Sequence, residues 1–199
     1  MIEVELKARV PDLQAVRRRV EDAGAVLHFA GRLEDQRYDT AEQTVGARDH
    51  VLRLRVYRDP TSGTETAALD WKGPTSYDSG YKQREELSCG LADAASFRRI
   101  LGELGYVVTM AIDREIRQYA LHGATVRFER YPRMDDLVEV EGAPAAIEAA
   151  IGALGLPRDA FTSERLPDFV RRFEARTGQH AALSDAELAG AIRYDVSNA

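Results

Sequence analysis

The segment Ile2-Glu3-Val4-Glu5-Leu6-Lys7-Ala8-Arg9-Val10 alternates apolar and charged residues without a break. That period of two is the signature of a β-strand with two unlike faces, and every charge falls on one of them. The design recurs along the chain. Arg53 and Arg55 alternate with Leu52, Leu54 and Val56, and Asp70 and Lys72 with Leu69 and Trp71. Lys82, Arg84 and Glu86 share one parity, Arg127 and Glu129 alternate with Val126 and Phe128, and Glu139 and Glu141 with Val138 and Val140. A solvated sheet face accepts Thr, Ser, Gln and Asn freely, yet acids and Arg or Lys dominate these positions together. The apolar faces need cover from helices, so the charged faces, Arg9 included, are expected to point inward.

Helices are available for that cover. Pro11-Asp12 starts one in which Leu13, Val16 and Val20 recur up to Gly24. Asp93 caps a second, with Phe97, Ile100, Leu101 and Leu104 as its stripe, ended by Gly105. Helices are also expected over 144–154 and 162–176. Strands are expected over 26–29, 34–38, 51–57, 67–72, 82–88, 111–121, 125–131 and 137–141, with a hairpin turn at 59–63 and a polar loop over 73–80. RRVEDAG, ending at Gly24, is echoed by RRILGELG, ending at Gly105, at an offset of about 81 residues. Each half then reads strand, helix, strands. The fold class predicted is α+β: an antiparallel β-barrel-like tunnel of about eight strands with helices packed outside.

A barrel interior holding this many charges must have them paired or neutralised. Carboxylates two apart on one strand, as in Glu3/Glu5 and Glu139/Glu141, project side by side and supply the hard oxygen ligands that Mg²⁺ or Mn²⁺ prefers. Arginine matches phosphate oxygens in charge and fork geometry. Metal with polyphosphate is a ligand that asks for both signs in one cavity.

Composition narrows the alternatives. The 199 residues, 44% apolar, suit one domain over 1–176 with an accessory tail over 177–199, where Ser184-Asp185-Ala186-Glu187 reads as a capping box. A net charge of −6 argues against a nucleic-acid binder. Lone Cys89 excludes an internal disulfide and reads as a half-buried strand residue, and no apolar run suits a membrane span or a signal peptide, so a cytoplasmic protein is expected. The four histidines lack metal-ligand spacing, no P-loop, G-x-S-x-G or G-x-G-x-x-G occurs, and Arg17-Arg18-Arg19 reads as a solvated helix face.

Glu3-Val4-Glu5-Leu6-Lys7 resembles the E-x-E-x-K signature of the CYTH family, or triphosphate tunnel metalloenzymes. That family includes class IV adenylyl cyclases and thiamine and inorganic triphosphatases. The resemblance continues through Tyr38-Asp39, Leu52-Arg53-Leu54-Arg55, Trp71-Lys72, Arg84-Glu85-Glu86 and Glu139-Val140-Glu141-Gly142, spanning residues 2 to 170. It implies an antiparallel tunnel that holds a triphosphate on basic residues and divalent metal on acidic ones. By this likeness Glu3, Glu5, Glu139 and Glu141 would hold one Mg²⁺ or Mn²⁺, with a second near Glu86 or Glu129. Lys7, Arg53, Arg55, Lys72, Arg84, Arg117 and Arg127 would bind phosphates, and Glu3, Glu5, Lys7 and Glu129 would carry the chemistry. The expected ligand is tripolyphosphate, ATP or thiamine triphosphate; a homodimer is compatible with the sequence.

Two positions depart from the family pattern. A Lys-x-Arg pair is replaced by Asp113-Arg114-Glu115-Ile116-Arg117, of which Arg117 is expected to keep the place in the tunnel, with Glu115 on the same inward face. Glu129 stands where an Asp normally precedes the final E-x-E. Hydrolysis is the preferred activity; the alternatives are a class IV type of adenylyl cyclase making cyclic AMP from ATP, and a non-catalytic polyphosphate-binding module.

Overall fold

The computed structural model describes residues 2–194. Its elements run β1 (Ile2–Arg9), α1 (Leu13–Asp22), β2 (Val26–Thr40), β3 (Val51–Arg58), β4 (Glu65–Lys72), β5 (Ser76–Asp78), β6 (Tyr81–Leu91) and α2 (Ala94–Glu103). They continue with β7 (Tyr106–Leu121), β8 (Ala124–Arg130), β9 (Leu137–Glu141), α3 (Pro144–Leu154), α4 (Leu166–Thr177) and the single turn α5 (Asp185–Leu188). The strands lie in the order β1-β9-β8-β7-β2-β3-β4-β6, and β6 pairs back onto β1, closing an eight-stranded antiparallel barrel. Short β5 extends the β4 side of β6. The expected repeat is visible in the order strand, helix, strands of each half, and its matching members meet: β1 pairs with β6 and β2 with β7.

The alternation seen in the sequence becomes the division between tunnel and core. Leu6, Val126, Phe128, Val138 and Val140 face outward and are buried under Val16 and Val20 of α1 and Ile147, Ile151 and Leu154 of α3. Leu54 and Val56 are buried on the far side under Ala94 and Leu101 of α2. Helices α1 and α2 each begin at an aspartate, as the sequence indicates: Asp12 accepts from the Ala15 N–H at 2.9 Å and Asp93 from the Ser96 N–H at 3.0 Å. At the C-terminus of α3, Arg19 donates to the Gly155 carbonyl at 3.1 Å, so this member of the arginine run clasps two helices together.

Several expected boundaries change. The two strands expected over 26–29 and 34–38 are one strand, β2, which follows β7 along its whole length through two irregularities in register. Gly31 permits this, because a Cβ there would stand 2.2 Å from the Arg58 carbonyl oxygen. Strand β7 starts at Tyr106 rather than 111, and α4 starts at Leu166 rather than 162, because Thr162 instead exchanges two 2.9 Å backbone hydrogen bonds with Lys7. Residues 73–80, expected as a loop, contain β5. Cys89 is exposed, not half-buried.

One end of the barrel is stoppered by apolar side chains. Met110, Ile112, Tyr131 and Leu137 pack against Leu166, Phe169 and Val170 of α4 and against Leu183. The segment around Leu183 is therefore part of the barrel's packing: its carbonyl accepts from the Asp113 N–H at 2.8 Å, and Ala182 exchanges backbone hydrogen bonds with Arg133. Among the described residues no helix is long and apolar enough to cross a membrane.

Candidate active site

Antiparallel register places every second residue of each strand on the tunnel wall. On β1 and β9 these are Glu3, Glu5 and Lys7 beside Glu139 and Glu141, with Glu5 opposite Glu141 and Lys7 opposite Glu139. On β6, Arg84 stands opposite Glu3 and Lys82 opposite Glu5. Strands β3 and β4 bring Arg53 opposite Asp70, and β8 brings Arg127 beside Glu139 and Gln118. All of these side chains are buried or nearly so. Arg9 is the exception: it lies at the barrel end, half-exposed, 3.6 Å from Asp135, because the strand has already left the enclosed part of the wall.

The wall is woven from ion pairs. Lys7 lies 2.6 Å from Glu139, which also accepts from Arg127 at 2.8 Å. Lys72 pairs with Glu3 and, at 3.3 Å, with Glu86; Lys82 pairs with Glu5. Arg53 reaches Asp35, Asp70 and Glu86 at 3.4, 3.3 and 3.2 Å, and Arg55 pairs with Asp70 and lies 3.5 Å from Glu86. Arg114 lies 3.2 Å from Glu129, which also accepts from the Tyr131 hydroxyl at 2.6 Å. Arg84 donates to the Gly73 carbonyl at 2.6 Å and to that of Asp49.

The innermost space, about 70 Å³, is lined by nine cationic side chains and four carboxylates. The cations of the lining are Lys7, Arg37, Arg53, Lys72, Lys82, Arg84, Arg114, Arg127 and Arg165; the carboxylates are Glu5, Asp35, Glu129 and Glu139. Burial would lower the Lys7 ammonium, but Glu139 and Glu5 push it above the ordinary lysine range. Arg37 is the outlier. Its Nε and one terminal nitrogen are buried without a hydrogen-bond partner, and burial, only partly offset by Asp35 and worsened by Arg53, Arg114 and Arg84, brings its guanidinium down to about 10. A buried donor of this kind calls for an acceptor.

The acidic residues divide by charge environment. Burial would raise Glu139, yet Lys7 and Arg127 hold it well below the usual carboxylate range, and Lys7 likewise prevails over burial at Glu5. Glu3 goes the other way, raised by burial against the pull of Lys72, with Glu5, Glu86 and Glu139 adding to it. Glu141 is pushed up to about 7 by burial and by Glu139 and Glu3, and it has no ion pair among the described residues. Among those residues no three His, Cys, Asp or Glu groups stand at metal-ligand separation, since lysines and arginines hold most of these carboxylates apart. The donor chemistry still fits a hard divalent cation: Glu3, Glu5, Glu139 and Glu141 lie on paired strands, and the raised Glu3 and Glu141 mark negative charge that the local cations do not fully neutralise.

Arg117 does not reach the tunnel. It and Glu115 are exposed on the outer face of β7, while Arg114, to which the sequence reading gave no place in the tunnel, is buried on the wall. The reason is parity fixed by register: Ile116 stands opposite Glu129 and Gln118 opposite Arg127, so even-numbered residues of β7 face inward here.

Asp35, Arg37 and Arg165 were not singled out from the sequence. The first two share inward parity on β2, a signal that was present but blurred by polar Glu34 and Gln36 on the other face. Arg165 comes from the loop before α4 and bonds Asp49 and Thr75 at 2.9 and 2.8 Å, a placement with no local sequence mark. Arg37, Arg84 and Arg165 also border an adjoining chamber of about 390 Å³ lined in addition by Tyr38, His50 and Leu52.

Comparison with solved structures gives the same architecture. The PH1819 protein of Pyrococcus horikoshii OT3 is 21% identical, with a TM-score of 0.70 over 85% of this chain and 98% of its own. A candidate adenylate cyclase from Vibrio parahaemolyticus is 17% identical, with a TM-score of 0.72 over 86% and 98%. A candidate adenylyl cyclase from Hippeastrum, HpAC1, described as revealing a dominant triphosphatase activity, is 16% identical, with a TM-score of 0.57 over 92% and 98%. No curated protein matches the chain. The CYTH domain model matches residues 1–146, and with a closed antiparallel tunnel of charged walls the chain belongs to the CYTH family.

Proposed function

We propose that the chain binds a triphosphate in the barrel together with Mg²⁺ or Mn²⁺ and hydrolyses it, releasing orthophosphate. The observation that carries this reading is the cation-rich centre of the tunnel, where Arg37 keeps two buried donors without acceptors. Lys7, Arg53, Arg55, Lys72, Arg114 and Arg127 would exchange carboxylate partners for phosphate oxygens, and Arg84 its carbonyl partners, so that each cation keeps charge-assisted hydrogen bonds. Glu3, Glu5, Glu139 and Glu141 would hold one divalent ion, with Glu86 and Glu129 near the place for a second. When bound, such ions neutralise phosphate charge and favour ionisation of water. Water oxygen attacks the terminal phosphorus, the bond to the bridging oxygen breaks, and Glu129 is the carboxylate assigned to receive the water's proton. The remaining catalytic terms are positioning and charge neutralisation by the wall itself.

One observation favours a second reading. The chamber beyond Arg37, Arg84 and Arg165 is large enough for part of a nucleoside, which suits ATP, and with it attack by the ribose 3′-hydroxyl on the α-phosphorus to give cyclic AMP and pyrophosphate. Incubation with tripolyphosphate, ATP and thiamine triphosphate, each with Mg²⁺ or Mn²⁺, separates these readings. Orthophosphate release supports hydrolysis, cyclic AMP with pyrophosphate supports cyclisation, and tight binding of all three without products leaves a polyphosphate-binding module.

A further inference from the structure

A cavity of about 750 Å³ lies apart from the tunnel. It is a cleft on the outside of the barrel, between α1, the outer face of β2, β7 and β8, and the β3–β4 hairpin. Arginines ring it: Arg17 from α1, Arg32 from β2, Arg58 from β3, Arg117 from β7 and Arg130 from β8.

Three of them are committed. Arg32 pairs with Asp185 at 2.5 Å and lies 3.4 Å from Asp113; Arg58 pairs with Glu34 and, at 2.8 Å, with Glu65; Arg130 donates twice to Asp136 at 3.2 Å. The other two are less engaged. The side chain of Arg117, exposed on β7, has no ion pair or hydrogen bond among the described residues. Arg17 forms an ion pair with Glu21 at 3.4 Å, but its Nε is buried without a hydrogen-bond partner, and that Glu21 oxygen already accepts from the Tyr119 hydroxyl at 2.6 Å. The acids of the lining offset little of this: Asp59 is engaged in its own turn with Thr61 and Ser62, Glu65 is held by Arg58, and only Glu115 remains. Leu13, Ala30 and Pro60 give the cleft an apolar side.

We propose that this cleft is a second binding site, separate from the tunnel, for a small organic phosphate, with its phosphate between Arg17 and Arg117 and its apolar body against Leu13, Ala30 and Pro60. A cavity of this size with a few convergent polar groups is what such ligands occupy, and guanidinium forks are matched to phosphate oxygens. The proposal does not depend on the reaction in the tunnel.

Phenyl phosphate serves as the probe in an amide NMR titration of the full chain. The expected result is saturable shifts at Gly31, at Thr61 through Glu65 and at Arg117, with affinity reduced at least about tenfold in Arg117→Ala and in Arg17→Gln. Arg117 is exposed on the outer face, so its substitution leaves the fold in place even if the Arg17 variant is less stable. Shifts confined to tunnel strands, unchanged affinity in both variants, or no saturable shift in the wild type would each overturn the proposal.

Discussion

Arg114 on β7 and Glu129 on β8 form a buried ion pair of 3.2 Å on the tunnel wall, while Arg117, three residues further along the same strand, is exposed on the outside. A phosphate that displaces Glu129 from Arg114 would keep the guanidinium paired, and the proposed binding surface therefore includes Arg114. Arg114→Ala is expected to weaken tripolyphosphate binding at least about tenfold, and Arg117→Ala to leave it unchanged. Calorimetric titration of both variants at fixed Mg²⁺ checks this; equal losses in the two would contradict the assignment of faces.

Arg37 predicts a trade between stability and binding. A buried cation with two donors lacking acceptors is costly to the fold, so Arg37→Met is expected to raise the melting temperature of the protein without ligand while weakening its affinity for tripolyphosphate. Thermal unfolding with and without ligand measures both. A variant that melts lower and binds as well as the wild type would show that Arg37 is a structural residue.

How much of this was legible before the fold was known depended on contrast between faces. On β1 and β9, charged and apolar residues alternate strictly, and Glu3, Glu5, Lys7, Glu139 and Glu141 were placed on the wall from the sequence alone. On β7 the contrast fails, because the inward face is apolar at the stoppered end, where Met110 and Ile112 meet Leu166 and Phe169, and charged only at Arg114. A parity counted from the charges alone therefore picked Glu115 and Arg117. On β2 both faces are polar, which hid Asp35 and Arg37. The plug formed by α4 and Leu183 is tertiary packing, and no local pattern announces it.

Asp35 gives a pH dependence with a definite sign. Burial would raise this carboxyl, but Arg53 and Arg114 hold it below its ordinary value, so the ionised form stabilises the fold. That contribution is present above the unfolded value of about 3.9 and is lost as pH falls through the lower folded value. Asp35→Asn is expected to cost about 3–5 kcal/mol at pH 7, because it leaves Arg53 and Arg114 short of a partner, and less at pH 3. Denaturant unfolding of wild type and variant at the two pH values gives the difference; an equal cost at both would remove Asp35 from the acid response.

Ligand binding itself should be visible in stability. A species that binds only the folded chain stabilises it by about 2.7 kcal/mol at a hundred times its dissociation constant. Tripolyphosphate with Mg²⁺ is therefore expected to raise the melting temperature by several degrees, and more than either component alone, since the wall presents both signs of charge. An effect equal to that of sulfate at matched ionic strength would point to general anion screening.

The central claim, triphosphate cleavage that uses the carboxylates of β1 and β9, is tested most directly by orthophosphate release from tripolyphosphate in wild type, Glu3→Gln and Glu5→Gln, with Mg²⁺ or Mn²⁺ and after chelation. Each substitution removes a charge from the proposed ion site with little change of shape. The account predicts turnover by the wild type that chelation abolishes, and loss of turnover in both variants while their circular dichroism stays native. Full activity in both variants, or release that persists without divalent metal, would contradict it.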